Sequence, residues 1–275
     1  MLSTGGTPHA KTGPVCHRSL NLNLENKVVL ITGAGTGIGA ASARYMARNG
    51  AALAVTSIVF SEARQVAREI ESAGGKAVAI EADVTQPDQI DGAIERTVHQ
   101  FGHLDVVVAN AGIQRHQTDR DLFEMEAQEW MRTQEVNLTG VMLTCKAALA
   151  RFVSQGTGGA IVIMSSITAL RGFSPNVSYA TAKSGLLGLN RHIAVHYAQH
   201  GIRCNALCPG ALEQTPDWSE HPDPDGRKET MERAIPLGRL GTPDDIAPWV
   251  AFLASDAASY ATGGEFVVDG GFTCK

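Results

Sequence analysis

Short, mainly apolar runs, several rich in β-branched residues, alternate along this chain with longer segments whose apolar positions recur at helical spacing. The runs are Lys27–Thr32, Ala52–Ser57, Lys76–Ile80, Asp105–Ala109, Ala160–Met164, Ile202–Leu207 and Glu265–Asp269. Each is too short for a helix and reads as a strand. Between them the pattern predicts helices over Ala40–Asn49, a segment ending near Ala73, Pro87–Phe101, a long region Glu124–Ser154, Tyr179–Gln199 and Pro243–Ala254. Gly50 closes the first of these in C-cap style, and Pro87 stands in a first turn, where its missing N–H costs nothing. Strands that read as continuous, mainly apolar runs rather than polar alternations, separated by helices, predict an α/β protein whose parallel sheet is covered on both faces.

Neither an internal repeat nor a shift of composition marks a boundary, so residues 24–275 read as a single domain. Residues 1–23 are rich in Gly, Thr, Pro, Ser and Asn and read as a disordered N-terminal tail. Residues 213–228 form a second polar, proline-rich stretch.

Composition narrows the function classes. Of 275 residues, 44% are hydrophobic and 19% charged, with a formal net charge of -5, as expected of a globular enzyme. Mild acidity without a dense Lys/Arg run argues against a nucleic-acid or anionic-membrane partner. No continuous apolar run approaches the roughly 18 residues that span a bilayer, and no signal-peptide pattern is seen in the first 26. The five cysteines (Cys16, Cys145, Cys204, Cys208 and Cys274) are odd in number and scattered, which favours reduced thiols in the cytoplasm over a disulfide framework or a metal pair.

Two stretches carry chemistry. Directly after the first strand comes Gly33-Ala-Gly-Thr-Gly-Ile-Gly39, and a helix follows it. In that setting backbone N–H groups and a helix N-terminus can receive a pyrophosphate. Farther on, Tyr179 precedes Lys183 by four residues, one turn apart on a helix face, with Ser166 upstream. An ammonium beside a phenol favours the phenolate and brings the tyrosine towards the working pH, fit to exchange a proton with a carbinol or carbonyl oxygen. Ser166 would hydrogen-bond the same oxygen.

These motifs, with Asp83-Val84, Asn110-Ala-Gly112, Asn137, Pro209-Gly210, Ile235-Pro-Leu-Gly-Arg239 and Asp269-Gly-Gly271, resemble the classical short-chain dehydrogenase/reductase family over about residues 22–272. The resemblance implies a single Rossmann-type, doubly wound parallel sheet and a nicotinamide cofactor. It implies that Tyr179 is the acid/base, that Lys183 lowers its pKa and binds the nicotinamide ribose, that Ser166 orients the substrate, and that Asn137 supports a relay water. The cofactor would lie along Gly33, Thr36, Gly37, Ile38 and Gly39, with Asp83 and Val84 at adenine. Asn110, Ala111 and Gly112 would line it, and Pro209, Gly210 and Leu212 would meet the carboxamide. A lid near residues 211–235 and a homo-oligomer, tetramer or dimer, are implied as well.

Two departures bear on specificity. Ser57 stands at the end of the second strand, where NAD-preferring relatives often carry an acid for the ribose 2′-hydroxyl. No Arg or Lys stands there or at Thr36 to meet the 2′-phosphate of NADP. Holding a phosphate without a cation costs more than replacing a carboxylate by a hydroxyl, which favours NAD, although Arg64 offers a charge to NADP. The second departure is Gln214, where the family often has threonine; Thr215 follows it.

Gln114, Arg115, His116 and Arg171 fall on loops that would face substrate, or are solvated loop charges; the sequence leaves both open. The lid stretch is polar with one aromatic, Trp218, which favours a polar substrate such as a sugar or polyol. Reduction of a hydrophobic ketone, 3-oxoacyl group or steroid is the alternative within the family. A non-catalytic nucleotide sensor is the alternative outside it, and an epimerase or dehydratase a third. His192, His196 and His200 recur at helical spacing, but without a nearby glutamate they read as a solvated or subunit-facing stripe rather than a metal site.

Overall fold

The computed structural model describes Leu22 and residues 24–172, 175–215 and 224–275. The tail read over residues 1–23, apart from Leu22, lies outside the described residues, as does Trp218.

The strands are β1 (Val28–Ile31), β2 (Ala52–Ser57), β3 (Lys76–Glu81), β4 (Val106–Ala109), β5 (Gly159–Met164), β6 (Ile202–Pro209) and β7 (Glu265–Val268). They form one seven-stranded sheet in the order β3-β2-β1-β4-β5-β6-β7, and every pair is parallel. The chain adds strands outward from β1 on one side and then outward from β4 on the other. The order therefore reverses between β1 and β4, leaving a crevice outside their carboxyl ends.

Residues within each strand alternate between two cores. In β1, Val29 and Ile31 join one cluster and Val28 and Leu30 the other; in β5, Val162 and Met164 oppose Ile161 and Ile163. Because both faces are buried, the sequence shows continuous apolar runs rather than a polar alternation. The helices over the first face are α1 (Gly37–Arg48), α2 (Phe60–Ser72) and α8 (Pro243–Ala254). Over the second lie α3 (Pro87–Phe101), α5 (Val141–Gln155) and α6 (Val177–Tyr197), with α4 (Ala127–Gln134) packed on α6. Helix α7 (Pro224–Ala234) is bonded through Arg227 to His116 after β4 and through Lys228 to Glu213 after β6.

Three elements differ from the sequence expectation. The long helix read over Glu124–Ser154 begins at Ala127 and is interrupted by a π-helical turn, Glu135–Gly140. Apolar spacing cannot reveal such a turn, because the stripes on either side are each of ordinary period. Within the polar stretch 213–228 a helix, α7, starts at Pro224; with little apolar surface to bury it left no periodic signal. Helix α6 starts at Val177, two residues before Tyr179. By length and hydropathy the run Ala127–Gln155 could cross a membrane, yet 56% of its apolar window is buried within the fold.

The α5–β5 connection shows how tightly the second core closes. Phe152 is fully buried, and a Cβ on Gly159 would stand 2.7 Å from its ring. Phe152→Ala is expected to cost about 3–5 kcal/mol of stability, read as a lowered urea midpoint. A loss below about 1 kcal/mol would mean that the ring contributes little to the core.

Candidate active site

The loops after β1, β2, β3, β4, β5 and β6 all emerge at the carboxyl edge of the sheet, and the glycine turn, Asp83-Val84, Asn110-Ala-Gly112, Ser166 and Gly210 lie on them. At the β1–β4 crevice the two strand ends are locked together. Thr32 Oγ1 accepts from the amides of Asn110 (3.0 Å) and Ala111 (3.1 Å). Asn110 Nδ2 donates in return to the carbonyls of Thr32 (2.9 Å) and Gly33 (3.1 Å). The turn then packs on itself so closely that a Cβ on Gly39 would lie 2.4 Å from the Gly33 carbonyl. Only glycine fits there. Thr36, the extended N-cap of α1, accepts no side-chain bond from the first turn, so the N–H groups of α1 carry no side-chain cap. A bare, glycine-walled helix start of this kind fits a pyrophosphate.

Asp83 closes its own turn instead, accepting from Thr85 N (2.9 Å) and Thr85 Oγ1 (2.8 Å). Val84 packs on the π turn, where a Cβ on Gly140 would meet it at 2.7 Å. On the far side, Gly210 N donates to Val268 O (2.9 Å), and Leu212 bridges to Gly241.

The π turn presents Asn137 inward. It is fully buried, and its amide is bonded twice to one residue: Oδ1 accepts from Ile113 N (2.9 Å) and Nδ2 donates to Ile113 O (2.8 Å). The loop after β4 is thus clamped to the helix. A Cβ on Gly112 would stand 2.6 Å from Asn137 Oδ1 and 3.5 Å from Lys183 Nζ, so both groups border the same small space.

Lys183 is buried on α6, with its ammonium donating to Met164 O at 2.9 Å and lying 5.4 Å from the centre of the Tyr179 ring. Burial pulls its pKa down to about 8. The neighbouring Cys208 thiol does not neutralise the charge, because burial pushes it up to about 11. Ser165 Oγ, bonded to Lys183 O (2.9 Å), ties this part of α6 to the end of β5. Ser166 follows in extended conformation and caps a short 3₁₀ turn, Ile167–Ala169, accepting from Thr168 N at 3.2 Å.

Sequence reasoning missed Asp119. This carboxylate is 1% exposed and caps the start of α6 from a loop far away in the chain. Its Oδ1 accepts from Ser178 N (3.0 Å) and its Oδ2 from Tyr179 N (2.8 Å), while its backbone carbonyl takes Asn176 Nδ2. Burial raises its pKa, and the two amide bonds oppose that rise. Gln134 holds the same turn from α4, donating to Ser178 O (2.8 Å) and Ser178 Oγ (3.0 Å). Nothing local in the sequence marks either residue as a cap, since each partner lies dozens of positions away.

The residues read as facing substrate separate. Gln114 Nε2 donates to Asn176 Oδ1 (3.2 Å), beside the start of α6. Half-buried His116 accepts from Arg227 of α7 at 3.1 Å, joining the loop after β4 to the lid helix. Arg115 stands 3.0 Å from Glu129 Oε1, on the side of α4. Arg171 donates to the carbonyls of Lys275 (3.2 Å) and Thr273, and Lys275 Nζ donates to Ala234 O (2.8 Å) at the end of α7. His192 and His196 stack with ring centres 4.3 Å apart, and among the described residues no group of three metal-ligating side chains is found.

Comparison with known proteins follows the same lines. A family model described as enoyl-(acyl carrier protein) reductase matches residues 33–273. A cis-4-hydroxycyclohexanecarboxylate dehydrogenase of Sinomonas cyclohexanicum is 43% identical over 247 residues, 90% of this chain and 96% of that protein. A 3beta-hydroxysteroid dehydrogenase 1 of Eggerthella lenta is 39% identical, over 91% of this chain and 95% of its own length. The crystal structure of a short-chain type dehydrogenase/reductase from Mycobacterium marinum, 38% identical, superposes with a TM-score of 0.85 over 92% of this chain and 98% of that one.

Two outcomes follow from the geometry. In the ligand-free protein the Lys183 signal should titrate near pH 8 in a lysine ¹³C NMR titration; a midpoint at about 10, the ordinary value, would refute the desolvated site. Because the folded value lies below the unfolded one, the unfolded chain binds more protons between these pH values. Lys183's burden on the fold is therefore full below pH 8 and is relieved as pH rises from there towards the unfolded value. Asp119→Ala should remove the α6 cap, lowering stability by about 0.5–2 kcal/mol and kcat by about tenfold or more with little change in nucleotide affinity. An unchanged kcat would leave Asp119 as a helix cap alone.

Proposed function

The chain belongs to the short-chain dehydrogenase/reductase family and is an NAD(P)-dependent oxidoreductase, and from that premise we propose that Tyr179, Lys183, Ser166 and Asn137 carry its chemistry at a secondary alcohol or carbonyl carbon. The observation that carries this reading is the buried Lys183 ammonium one helical turn from Tyr179, beside the crevice where the strand order reverses. The nicotinamide, when bound, supplies or accepts the hydride. The remaining work falls to the protein. Tyr179, as phenolate, takes the hydroxyl proton in oxidation and returns it in reduction. Lys183 stabilises that phenolate and would hold the nicotinamide ribose. Ser166 donates to the substrate oxygen and fixes its direction, and Asn137 Oδ1 keeps a lone pair for a water leading to Lys183.

The turn Gly33, Thr36, Gly37, Ile38 and Gly39 would hold the pyrophosphate, and Asn110–Gly112, Pro209, Gly210 and Leu212 the nicotinamide half. Asp83 and Val84 would border adenine. We read the cofactor as NAD rather than NADP, on the absence of a cation at Ser57 or Thr36. Residues 211–235 are read as the lid over a polar cyclic alcohol, such as a sugar or a ring hydroxy acid. Supporting this are the charged side chains by which α7 reaches His116 and Glu213, and a relative whose name specifies a hydroxycyclohexanecarboxylate. The steroid dehydrogenase among the relatives favours a second reading, a larger apolar ring alcohol. Free thiols at Cys145, Cys204, Cys208 and Cys274 fit the cytoplasm, and exposed Met131, Met142, Val153 and Val195 fit a dimer or tetramer.

Absorbance of reduced nicotinamide, with NAD⁺ and NADP⁺ in parallel over sugars, ring hydroxy acids and hydroxysteroids, tests the reading. Turnover of a polar ring alcohol is expected, and Tyr179→Phe should abolish nearly all of it while keeping nucleotide binding. Faster turnover of steroids would reject the polar substrate, and an active Tyr179→Phe would reject the acid/base.

A further inference from the structure

The end of β2 is polar in a way its sequence does not reveal. Ser57 Oγ accepts from Val59 N (3.2 Å) and donates to Glu62 Oε2 (3.3 Å), so the serine hydroxyl is already committed within the protein. Glu62 is the acidic residue of the first turn of α2, whose N-cap is Val59. It leans across the glycine turn. A Cβ on Gly35 would stand 2.6 Å from Glu62 Cβ, 2.8 Å from Glu62 Oε2 and 3.1 Å from Ser57 Oγ. The bare backbone at Gly35 is what allows the carboxylate to close on the turn.

The pyrophosphate-binding turn, the end of the second strand and one carboxylate therefore meet at a single point. In an open parallel sheet that point receives the adenosine ribose, and an acid there accepts from its hydroxyls. Immediately after Ser57, the exposed run Ile58, Val59 and Phe60 supplies apolar surface for the flat base. Arg64 is placed differently: it lies two positions beyond Glu62, in an outer groove of α2 that it lines with Phe60, Gln65 and Arg68. Residues two apart on a helix do not share a face, so Arg64 does not stand with Glu62 over Gly35.

We propose that Glu62 supplies, from helix α2, the acid that β2 lacks at Ser57, and that it selects a free 2′-hydroxyl over a 2′-phosphate. The carboxylate accepts from a hydroxyl but repels a phosphate dianion. This inference rests on the dinucleotide reading above and names the residue that sets its specificity.

Calorimetric titration of the purified protein with NAD⁺ and NADP⁺, without substrate, tests it. One charge-assisted hydrogen bond corresponds to about tenfold or more in affinity. Wild type should bind NAD⁺ more tightly than NADP⁺ by at least that factor. Glu62→Gln should weaken NAD⁺ and strengthen NADP⁺, bringing the two within about threefold, as expected once the repulsion is gone. Gly35→Ala, which pushes the carboxylate aside while keeping it charged, should narrow the preference in the same direction. Glu62 is a half-exposed first-turn residue, so an unchanged melting temperature confirms that Glu62→Gln is folded. An NAD⁺/NADP⁺ ratio within about twofold of wild type in Glu62→Gln overturns the proposal, being far below the effect of a lost charged bond. Failure of the wild-type protein to bind either dinucleotide overturns the cofactor reading itself.

Discussion

A charged amine almost without access to water is the constraint around which this structure is arranged. Burying an ammonium is costly unless its protons find acceptors. Lys183 is 3% exposed, donates to the Met164 carbonyl, and has no thiolate beside it, because burial keeps the Cys208 thiol protonated. The site is consequently short of negative charge. A phenolate at Tyr179 would relieve that shortage, so the cost borne by the fold becomes a driving force for ionising the group that handles the proton. Removal of the charge would ease folding and weaken the chemistry together, an opposition expected at functional sites.

Around that amine, fixed geometry comes from bonds that join distant parts of the chain. The Thr32–Asn110 lock ties the two strands that flank the crevice, and the Asn137–Ile113 clamp ties a helix to the loop leaving one of them. Asp119 and Gln134 then grip the first turn of α6 from two directions. Tyr179 is thus placed by the sheet, by α4 and by the loop after β4.

Most strands and several helices were legible because their burial leaves a periodic trace. Ala52–Ser57, Pro87–Phe101 and Pro243–Ala254 match their expected bounds residue for residue. The glycine turn and the Tyr179–Lys183 pair were legible because backbone closeness and helical spacing are local properties. Asp119 and Glu62 were not, since an acid on a loop and an acid in a helix turn look alike whether they cap, select or merely face solvent. Only the fold brings Asp119 to Tyr179 N and Glu62 to Gly35. Helix α7 left no trace for the opposite reason: its composition is that of a solvated segment, and its contacts are made by ends of long side chains.

The π turn at Glu135–Gly140 has a further consequence. One residue more than an α-helix needs turns everything downstream by about 100° about the axis. The single rod Ala127–Gln155 therefore behaves as two helices out of phase: α4 packs against α6, whereas α5 packs against α3. Deleting one residue there would restore a regular helix and its ordinary hydrogen bonds. It would also force one half of the rod to abandon its neighbour. The extra residue acts as a gear between two interfaces, and Asn137 sits at the tooth where they change over.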